Sequence, residues 1–182
     1  MHSLHHLMLL LGLTPLAHCL DIQMFSGPGC TDASWKVSNL PAHFCLQTLP
    51  IIYSSPEMSA EFFGVEPWVL VYAYNGTAGS GPCDYKNVKK TFSATGGLVP
   101  CFDSFQYAAF VWDYYDPNLG NRETQEMKCE GVKGPDSITL VDGTEIDLIG
   151  MEDEERDELW ELAVKGKVKG DLPAKFADFM RE

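Results

Sequence analysis

Short apolar runs separated by turn-forming residues constrain the fold of this chain more than any other feature. Between residue 20 and about residue 148, runs rich in Val, Phe, Tyr and Trp alternate with clusters of Gly, Pro, Ser and Asn. This pattern is typical of β-strands, because β-branched and aromatic side chains pack well on a pleated sheet. The predicted strands are residues 22–25, 34–37, 59–65, 68–74, 105–112, 123–128, 137–141 and 145–149.

The last two predicted strands flank a tight turn that contains Asp142 and Gly143. Asp-Gly favours a two-residue hairpin turn, because glycine tolerates a positive φ. Many short strands at similar spacing, with no helical segment between them, indicate antiparallel sheets. We therefore predict an all-β fold for residues 20–149, either an antiparallel β-sandwich or a barrel.

The sequence pattern changes near residue 150, and residues 150–182 are predicted to form an acidic helical C-terminal extension. Acidic residues at 152–155 precede an apolar face through Leu159 and Leu162, and Lys165 stands beside Gly166 at the end of the segment. Acids at a helix N-terminus and a cation with a glycine at its C-terminus complement the helix dipole and the C-cap. This pattern predicts the first of two short C-terminal α-helices.

The second short α-helix is predicted after Asp171, which would act as its cap, with Pro173 near the first helical position. An apolar stripe follows through Phe176 and Phe179. We expect both helices to pack their apolar stripes onto the β unit. The alternative is a helix that detaches and binds a partner through the same face.

Residues 1–19 are predicted to form a signal peptide. An apolar run covers residues 7–16, which is too short to span a bilayer but suits a secretory leader. Cleavage after Cys19 places small residues, Ala17 and Cys19, at the −3 and −1 positions, whereas cleavage after Ala17 would retain Cys19. The prediction is a secreted, extracellular protein, and an exported chain meets an oxidising environment in which disulfides persist.

The charge of the chain argues against two classes of partner. The formal net charge is −13, and residues 134–182 hold 14 acidic against 6 basic residues. Binding to nucleic acid or to anionic lipid depends on cationic groups that neutralise phosphates, so we predict no nucleic-acid partner and no membrane partner. The one basic cluster, Lys86, Lys89 and Lys90, is interpreted as a solvated strand edge.

Five cysteines follow the predicted leader, and we expect them to form structural disulfides. Cys83 and Cys101 bracket a loop that one bridge could staple, and Cys30 and Cys45 are similarly spaced. Sequence does not fix the connectivity. Because five is an odd number, Cys129 or another cysteine is left free, joins two chains in a disulfide-linked dimer, or pairs with a retained Cys19.

Candidate catalytic and metal sites are few, and we predict no catalytic residue, no cofactor and no metal. His43 is the one histidine after the leader, and no zinc-binding spacing and no nucleophile-elbow motif is present. Asp113, Asp116, Asn118 and Asn121 could surround a calcium ion, but their spacing is not that of an EF-hand. A glycosidase pair among the many carboxylates stays open, since two facing carboxyl groups suffice.

Two surface features are also predicted. Asn75 begins an Asn-Gly-Thr glycosylation sequon within a predicted loop. Aromatic residues of the 112–115 region could stack on a sugar, although burial in a sandwich core explains Trp35, Trp68 and Trp112 equally well.

Several short motifs recur along the chain in a recognisable order. They are Trp35-x-Val37-x-Asn39, Ser59-x-x-Phe62-Phe63, the central cysteines Cys83 and Cys101, Phe110-Val-Trp112, and Met127-x-Cys129 with the terminal hairpin. In these motifs the chain resembles the small secreted β-sandwich or β-barrel proteins of ascomycete fungi, of the Alternaria-allergen-like group. The resemblance implies a secreted, non-enzymatic, effector-like protein. The chain lacks the family's final cysteine, so Cys129 has no partner of the kind that the resemblance implies.

Together these features predict a non-enzymatic binding protein that acts outside the cell on a host or environmental molecule, either a protein or a small ligand. One alternative is a secreted carbohydrate-active hydrolase that uses paired carboxylates. Another is a βγ-crystallin-like calcium-binding module, suggested by a loose echo of residues 24–59 in residues 71–104.

Overall fold

Strands dominate the structure, a computed structural model that describes residues 19–47, 58–64, 69–74, 83, 88–94, 101–105, 109–114 and 130–181. The all-β prediction is confirmed. Within the described residues the strands are β1 (Cys19–Phe25), β2 (Ser34–Pro41), β3 (Phe44–Gln47), β4 (Met58–Phe63), β5 (Val69–Tyr74), β6 (Val88–Ala94), β7 (Phe102–Phe105), β8 (Ala109–Tyr114), β9 (Gly131–Lys133), β10 (Ser137–Thr139) and β11 (Glu145–Asp147).

These strands form two sheets. Sheet A has the strand order β11-β10-β2-β1-β4-β7, and sheet B has the order β6-β5-β8-β3-β9. All pairings are antiparallel except that of β3 with β9, which is parallel. The chain passes from sheet A to sheet B at Ala42 and His43, between the end of β2 and the start of β3. Each sheet keeps two open ends in its strand order, so the described residues form a sandwich and not a closed barrel.

The core lies between the two sheets and follows the alternation of each strand. Trp35 and Ile22 of sheet A and Trp112 and Phe110 of sheet B are fully buried in one apolar cluster. Phe62 of sheet A meets Phe110 edge to face, with ring centroids 5.8 Å apart. Antiparallel strands with one buried face alternate apolar and polar residues in this way. Burial of Trp112 excludes it as a sugar-stacking platform, whereas Trp68 and Tyr115 lie outside the described residues.

Several strand predictions need correction. The apolar run 105–112 was predicted as one strand, but β7 ends at Phe105 in sheet A and β8 begins at Ala109 in sheet B. A run in which Gln106 is the one strongly polar residue hides such a break, since the sequence on either side of it is typical of a strand. Strands β3 and β9 and most of β7 are absent from the predicted strands, and β6 was anticipated through the interpretation of its lysines as a strand edge alone. The predicted strand at 123–128 lies outside the described residues. The predicted hairpin is confirmed as β10 and β11, with Gly143 at φ +85°.

The first C-terminal helix is confirmed as α1 (Asp153–Val164). Glu152 and Glu155 form a reciprocal capping box at its start, which satisfies backbone N–H groups that have no helical partner. Gly166 follows the helix at φ +73° and donates its N–H to the carbonyl of Ala163, 2.9 Å away. The acidic first turn and the terminal glycine therefore mark the helix ends as the sequence predicts.

The prediction of a second C-terminal α-helix is wrong. The segment instead forms two 3-10 helices, Lys169–Asp171 and Ala174–Phe179, and Asp171 ends the first of them instead of capping a helix. Pro173 precedes the second 3-10 helix in an extended conformation. Side chains three residues apart align in a 3-10 helix, so Phe176 and Phe179 share one side without an α-helical turn.

The extension packs against the β unit. Leu159, Trp160 and Ala163 of α1, together with Phe176, are buried in the same apolar cluster as Ile138 of β10. The apolar stripe predicted from the sequence is therefore covered by sheet A and its hairpin. Among the described residues, no helix is both long enough and apolar enough to cross a bilayer.

Candidate functional site

The corner where the chain passes between the sheets carries a histidine with a left-handed backbone conformation. His43 has φ +64°, in the left-handed region that residues other than glycine rarely adopt. Its N–H donates to the carbonyl of Trp112 at 3.1 Å, and its carbonyl accepts from the N–H of Glu130 at 3.0 Å. Two backbone hydrogen bonds therefore hold this strained residue between β8 and the start of β9. Strain of this kind is found most often at functional positions.

The imidazole of His43 faces a carboxylate. Nε2 of His43 lies 3.2 Å from Oδ1 of Asp113, and the two side chains are 38% and 30% exposed. Asp113 follows Trp112 in β8, so it projects from the outer face of sheet B while the indole is buried inside. A carboxylate within hydrogen-bond distance of an imidazole nitrogen fixes the orientation of the ring.

Tyr72 belongs to the same corner. It lies on β5 directly opposite Val111 of β8, and Leu70, two residues before it, lies opposite Asp113. Burial raises the pKa of the Tyr72 phenol, and the negative charge of Asp113 raises it further. The phenol therefore stays protonated at neutral pH and is available there as a hydrogen-bond donor. We call His43, Tyr72 and Asp113 the sheet B corner.

The chemistry open to the sheet B corner is limited by its neighbour Cys45. Cys45 lies two residues after His43 on β3, and its sulfur is bonded to Cys83. Because its sulfur is in a disulfide, Cys45 does not supply a thiolate nucleophile beside His43. Within the described residues, no group of three or more His, Cys, Asp or Glu side chains is placed to hold a metal ion. The corner is a polar surface site whose groups can donate and accept hydrogen bonds.

The calcium candidate is only partly described. Asp113 points toward His43, whereas Asp116, Asn118 and Asn121 lie outside the described residues. The sequence did not single out the contact between His43 and Asp113, because the two residues are 70 positions apart and no local pattern joins them. The histidine itself was noticed, since it is the sole one after the leader.

Four of the five predicted cysteines form two disulfides. Cys30 pairs with Cys101 at a Cα separation of 5.8 Å, and Cys45 pairs with Cys83 at 6.0 Å. Neither bridge joins the neighbours in sequence that the spacing suggested. The reason is topological, since β6 lies between Cys83 and Cys101 in the chain, Cys83 is bonded to Cys45 of sheet B, and Cys101 directly precedes β7 of sheet A.

The two bridges brace different parts of the sandwich. Cys30 follows β1 in a 3-10 turn, where its N–H donates to Ser59 Oγ at 2.8 Å, and its bridge holds this turn to the start of β7. The second bridge lies on the outer face of sheet B, where Cys45 and Cys83 are buried with Val111. Both bridges therefore join segments that are far apart in sequence.

The remaining cysteines and surface features are placed as follows. Cys19 is unpaired and is the first residue of β1, so cleavage after Cys19 would remove one residue from this strand. Lys89 and Lys90 belong to β6, an edge strand of sheet B, as their interpretation as a strand edge requires. Asn75, Lys86 and Cys129 lie outside the described residues.

Comparison with known proteins bears on the C-terminal part of the chain alone. A family model described as a C-terminal domain, from a family with a fungal name, matches residues 141–182. The matched segment contains β11, α1 and the two 3-10 helices, and it is consistent with a fungal protein. No curated protein and no solved structure matches the chain.

Proposed function

We propose that this chain is a secreted, non-enzymatic binding protein of effector-like role, which acts outside the cell on a host or environmental molecule. The observation that supports it best is the pair of disulfides, Cys30–Cys101 and Cys45–Cys83. Bonds of this kind persist in oxidising compartments, and the apolar leader offers a route to one. The resemblance to the Alternaria-allergen-like proteins supports the effector-like role.

The sheet B corner supports binding as the activity. His43, Tyr72 and Asp113 offer a cation or neutral donor, a protonated phenol and a carboxylate on one outer face. Such a set matches a polar ligand or a polar patch on a protein. Tyr72 and Asp113 lie on the paired strands β5 and β8, and His43 directly precedes β3, which the Cys45–Cys83 bridge anchors. Paired strands hold binding groups more accurately than loops do.

Export is tested by the mass of the protein collected from the medium of a fungal expression host, before and after reduction. We expect residues 1–19 or 1–17 to be absent, and we expect reduction to add two hydrogens for each disulfide. A glycan at Asn75 would add mass that Asn75→Gln removes. Retention inside the cell with residue 1 present and all cysteines reduced would overturn the proposal.

The odd cysteine makes a second prediction for the same sample. If Cys19 leaves with the leader, Cys129 is the cysteine that the two bridges leave over, and we propose that it joins two chains. A Cys129→Ser variant would then run as a monomer without reductant, whereas the unmodified chain would run as a dimer. Monomers in both samples would remove this part of the proposal.

Binding and hydrolysis are separated by incubating the secreted protein with soluble and insoluble polysaccharides and assaying reducing ends. A binding protein releases none, whereas a glycosidase with paired carboxylates releases them steadily. A thermal shift with calcium tests the crystallin-like alternative, since a ligand that binds the folded state alone stabilises it. Released sugar or calcium stabilisation would replace the proposed function with that alternative.

A further inference from the structure

The outer edge of β11, at one end of sheet A, is covered by a later part of the same chain. Ile146 of β11 forms an isolated antiparallel bridge with Met180, and the N–H of Arg181 donates to the carbonyl of Glu145 at 3.0 Å. Residues 180–181 therefore add a very short strand where the sheet would otherwise end. A strand edge presents unpaired N–H and C=O groups that accept another strand.

The side chains at this edge define a pattern. Ile146 is buried, and Met180 packs against the same core, so the position opposite Ile146 takes an apolar residue. Glu145 and Asp147 lie on the other face of β11, and the guanidinium of Arg181 contacts both carboxylates, at 2.5 Å and 3.2 Å. An apolar residue followed by a cation therefore satisfies the edge.

Few contacts hold the occupying segment. They are one backbone bridge, the partly buried Met180 side chain and two ion pairs, and the side chain of Arg181 is 44% exposed. Exposed ion pairs of this kind contribute little to stability. Two of the other described sheet edges differ from this one, since β6 carries Lys89 and Lys90 and β7 begins beside the Cys101 bridge, whereas β9 has three residues as β11 does.

We propose that the edge of β11 is an acceptor site for a short extended segment of a partner protein, one that presents an apolar residue followed by Arg or Lys. Met180 and Arg181 fill this site within the chain and compete with the partner. Charge favours a basic partner, because residues 134–182 carry a net charge of −8 and the edge itself presents two carboxylates. Main-chain hydrogen bonds would supply affinity and the two side-chain positions specificity, as in other strand-addition sites.

The test uses the full chain labelled with ¹⁵N and a synthetic peptide with the sequence of residues 177–182. Arg181→Glu reverses the charge that holds the segment, and Lys175→Glu is the matched control, since Lys175 forms a similar exposed ion pair with Glu158. We expect Arg181→Glu to speed amide exchange at 145–147 at least tenfold. We also expect the peptide to bind the Arg181→Glu chain with at least tenfold higher affinity than it binds the parent chain or the Lys175→Glu chain. The perturbation of the 145–147 resonances measures this affinity.

A control peptide in which Glu replaces Arg should not bind. Equal peptide affinity for all three chains, perturbation away from β11, or unchanged exchange in the Arg181→Glu chain would each overturn the proposal. A doubling of the mass of Arg181→Glu in light scattering would assign the edge to a second copy and overturn the proposed partner. Arg181→Ala provides the same comparison if the charge reversal prevents folding.

Discussion

The β unit up to residue 114 and the C-terminal region, residues 130–181, are stabilised by different means. Both described disulfides join segments within residues 30–101, and no cysteine occurs after residue 129. Residues 130–181 are held instead by buried apolar side chains such as Trp160 and Phe176, by a capping box, and by ion pairs such as those of Arg181. One part is braced by covalent bonds and the other by packing.

The difference follows the range of the contacts in sequence. Cys30 and Cys101 are 71 residues apart, so a covalent link removes much of the freedom of the unfolded chain. The hairpin, α1 and the 3-10 helices follow one another within about fifty residues, so the contacts that they make with one another close short loops at small entropic cost, whereas the pairing of β10 with β2 is long-range. Long-range sheet pairing is the part of this fold that profits from bridges.

The largest expected effect is that of removing both bridges. Replacing Cys30, Cys45, Cys83 and Cys101 by Ser should lower the free energy of unfolding by roughly 8 kcal/mol, from about 4 kcal/mol for each loop. Removing Cys30–Cys101 alone should cost about 0.5 kcal/mol more than removing Cys45–Cys83, because its loop is longer, 71 against 38 residues. Urea unfolding at pH 7 measures all three variants. A quadruple variant as stable as the parent would refute the covalent half of the comparison.

Trp160→Ala tests the packed half. Trp160 is 3% exposed within the shared core, so truncation should lower the free energy of unfolding by about 3–5 kcal/mol. Val164→Ala, four residues later on the same helix, is the matched control, since Val164 is 46% exposed and its loss should cost less than about 0.5 kcal/mol. Similar losses in the two variants would mean that α1 contributes little to the core.

The sequence predicts the packed region well because its determinants are local. Gly143 in the hairpin turn and the acidic residues at the start of α1 act within a few positions of themselves. The second predicted helix is wrong for a local reason as well. Phe176 and Phe179 are three residues apart, a spacing that fits both an α-helix and a 3-10 helix. The segment after Pro173 has six residues, Ala174–Phe179, which is too few for the apolar spacing to distinguish the two kinds of helix.

The braced region is predicted less completely because its determinants are distant in sequence. The parallel pairing of β3 with β9 brings together residues near 45 and near 132, and no turn residue in the sequence predicts this pairing. The nested disulfides, with Cys45–Cys83 inside the loop that Cys30–Cys101 closes, and the contact of His43 with Asp113 depend on this same topology. Strand class is therefore readable from composition, whereas pairing, and with it the sheet B corner, is not.

Alkaline pH should act on the β unit through Tyr72. The pKa of its phenol is raised above 10 by burial and by Asp113, so the folded state holds this proton more tightly than the unfolded state. The resulting stability is complete below pH 10 and is lost as the pH rises through the raised pKa. Tyr72→Phe should remove this alkaline loss, and Asp113→Asn should move its midpoint toward pH 10 without removing it. Thermal unfolding between pH 8 and pH 11 measures both, and an unchanged alkaline profile in Tyr72→Phe would contradict the assignment.

Acid should act on the C-terminal region, with the opposite sign and a smaller effect. Hydrogen bonds from the N–H groups of Lys169 and Thr144 lower the pKa of Asp142, and a hydrogen bond from the N–H of Ile149, with Arg181, lowers that of Asp147. A carboxyl group with a lowered pKa stabilises the folded state above its unfolded value, near 3.9, and this stability disappears as the pH falls through the lowered pKa.

Asp142 is exposed and the side chain of Asp147 is 32% exposed, so solvent screening keeps the change small. Asp142→Asn with Asp147→Asn should flatten the stability profile between pH 5 and pH 2, because neither side chain then gains a proton. Asp178→Asn removes a charge from an exposed position nearby and should leave the steepness of that profile as it is in the parent. Thermal unfolding across this range compares the three chains. An equally steep loss of stability in acid in the double variant would place the acid sensitivity in the β unit. The β unit would then lose stability at both low and high pH, and the contrast between the two regions would not hold.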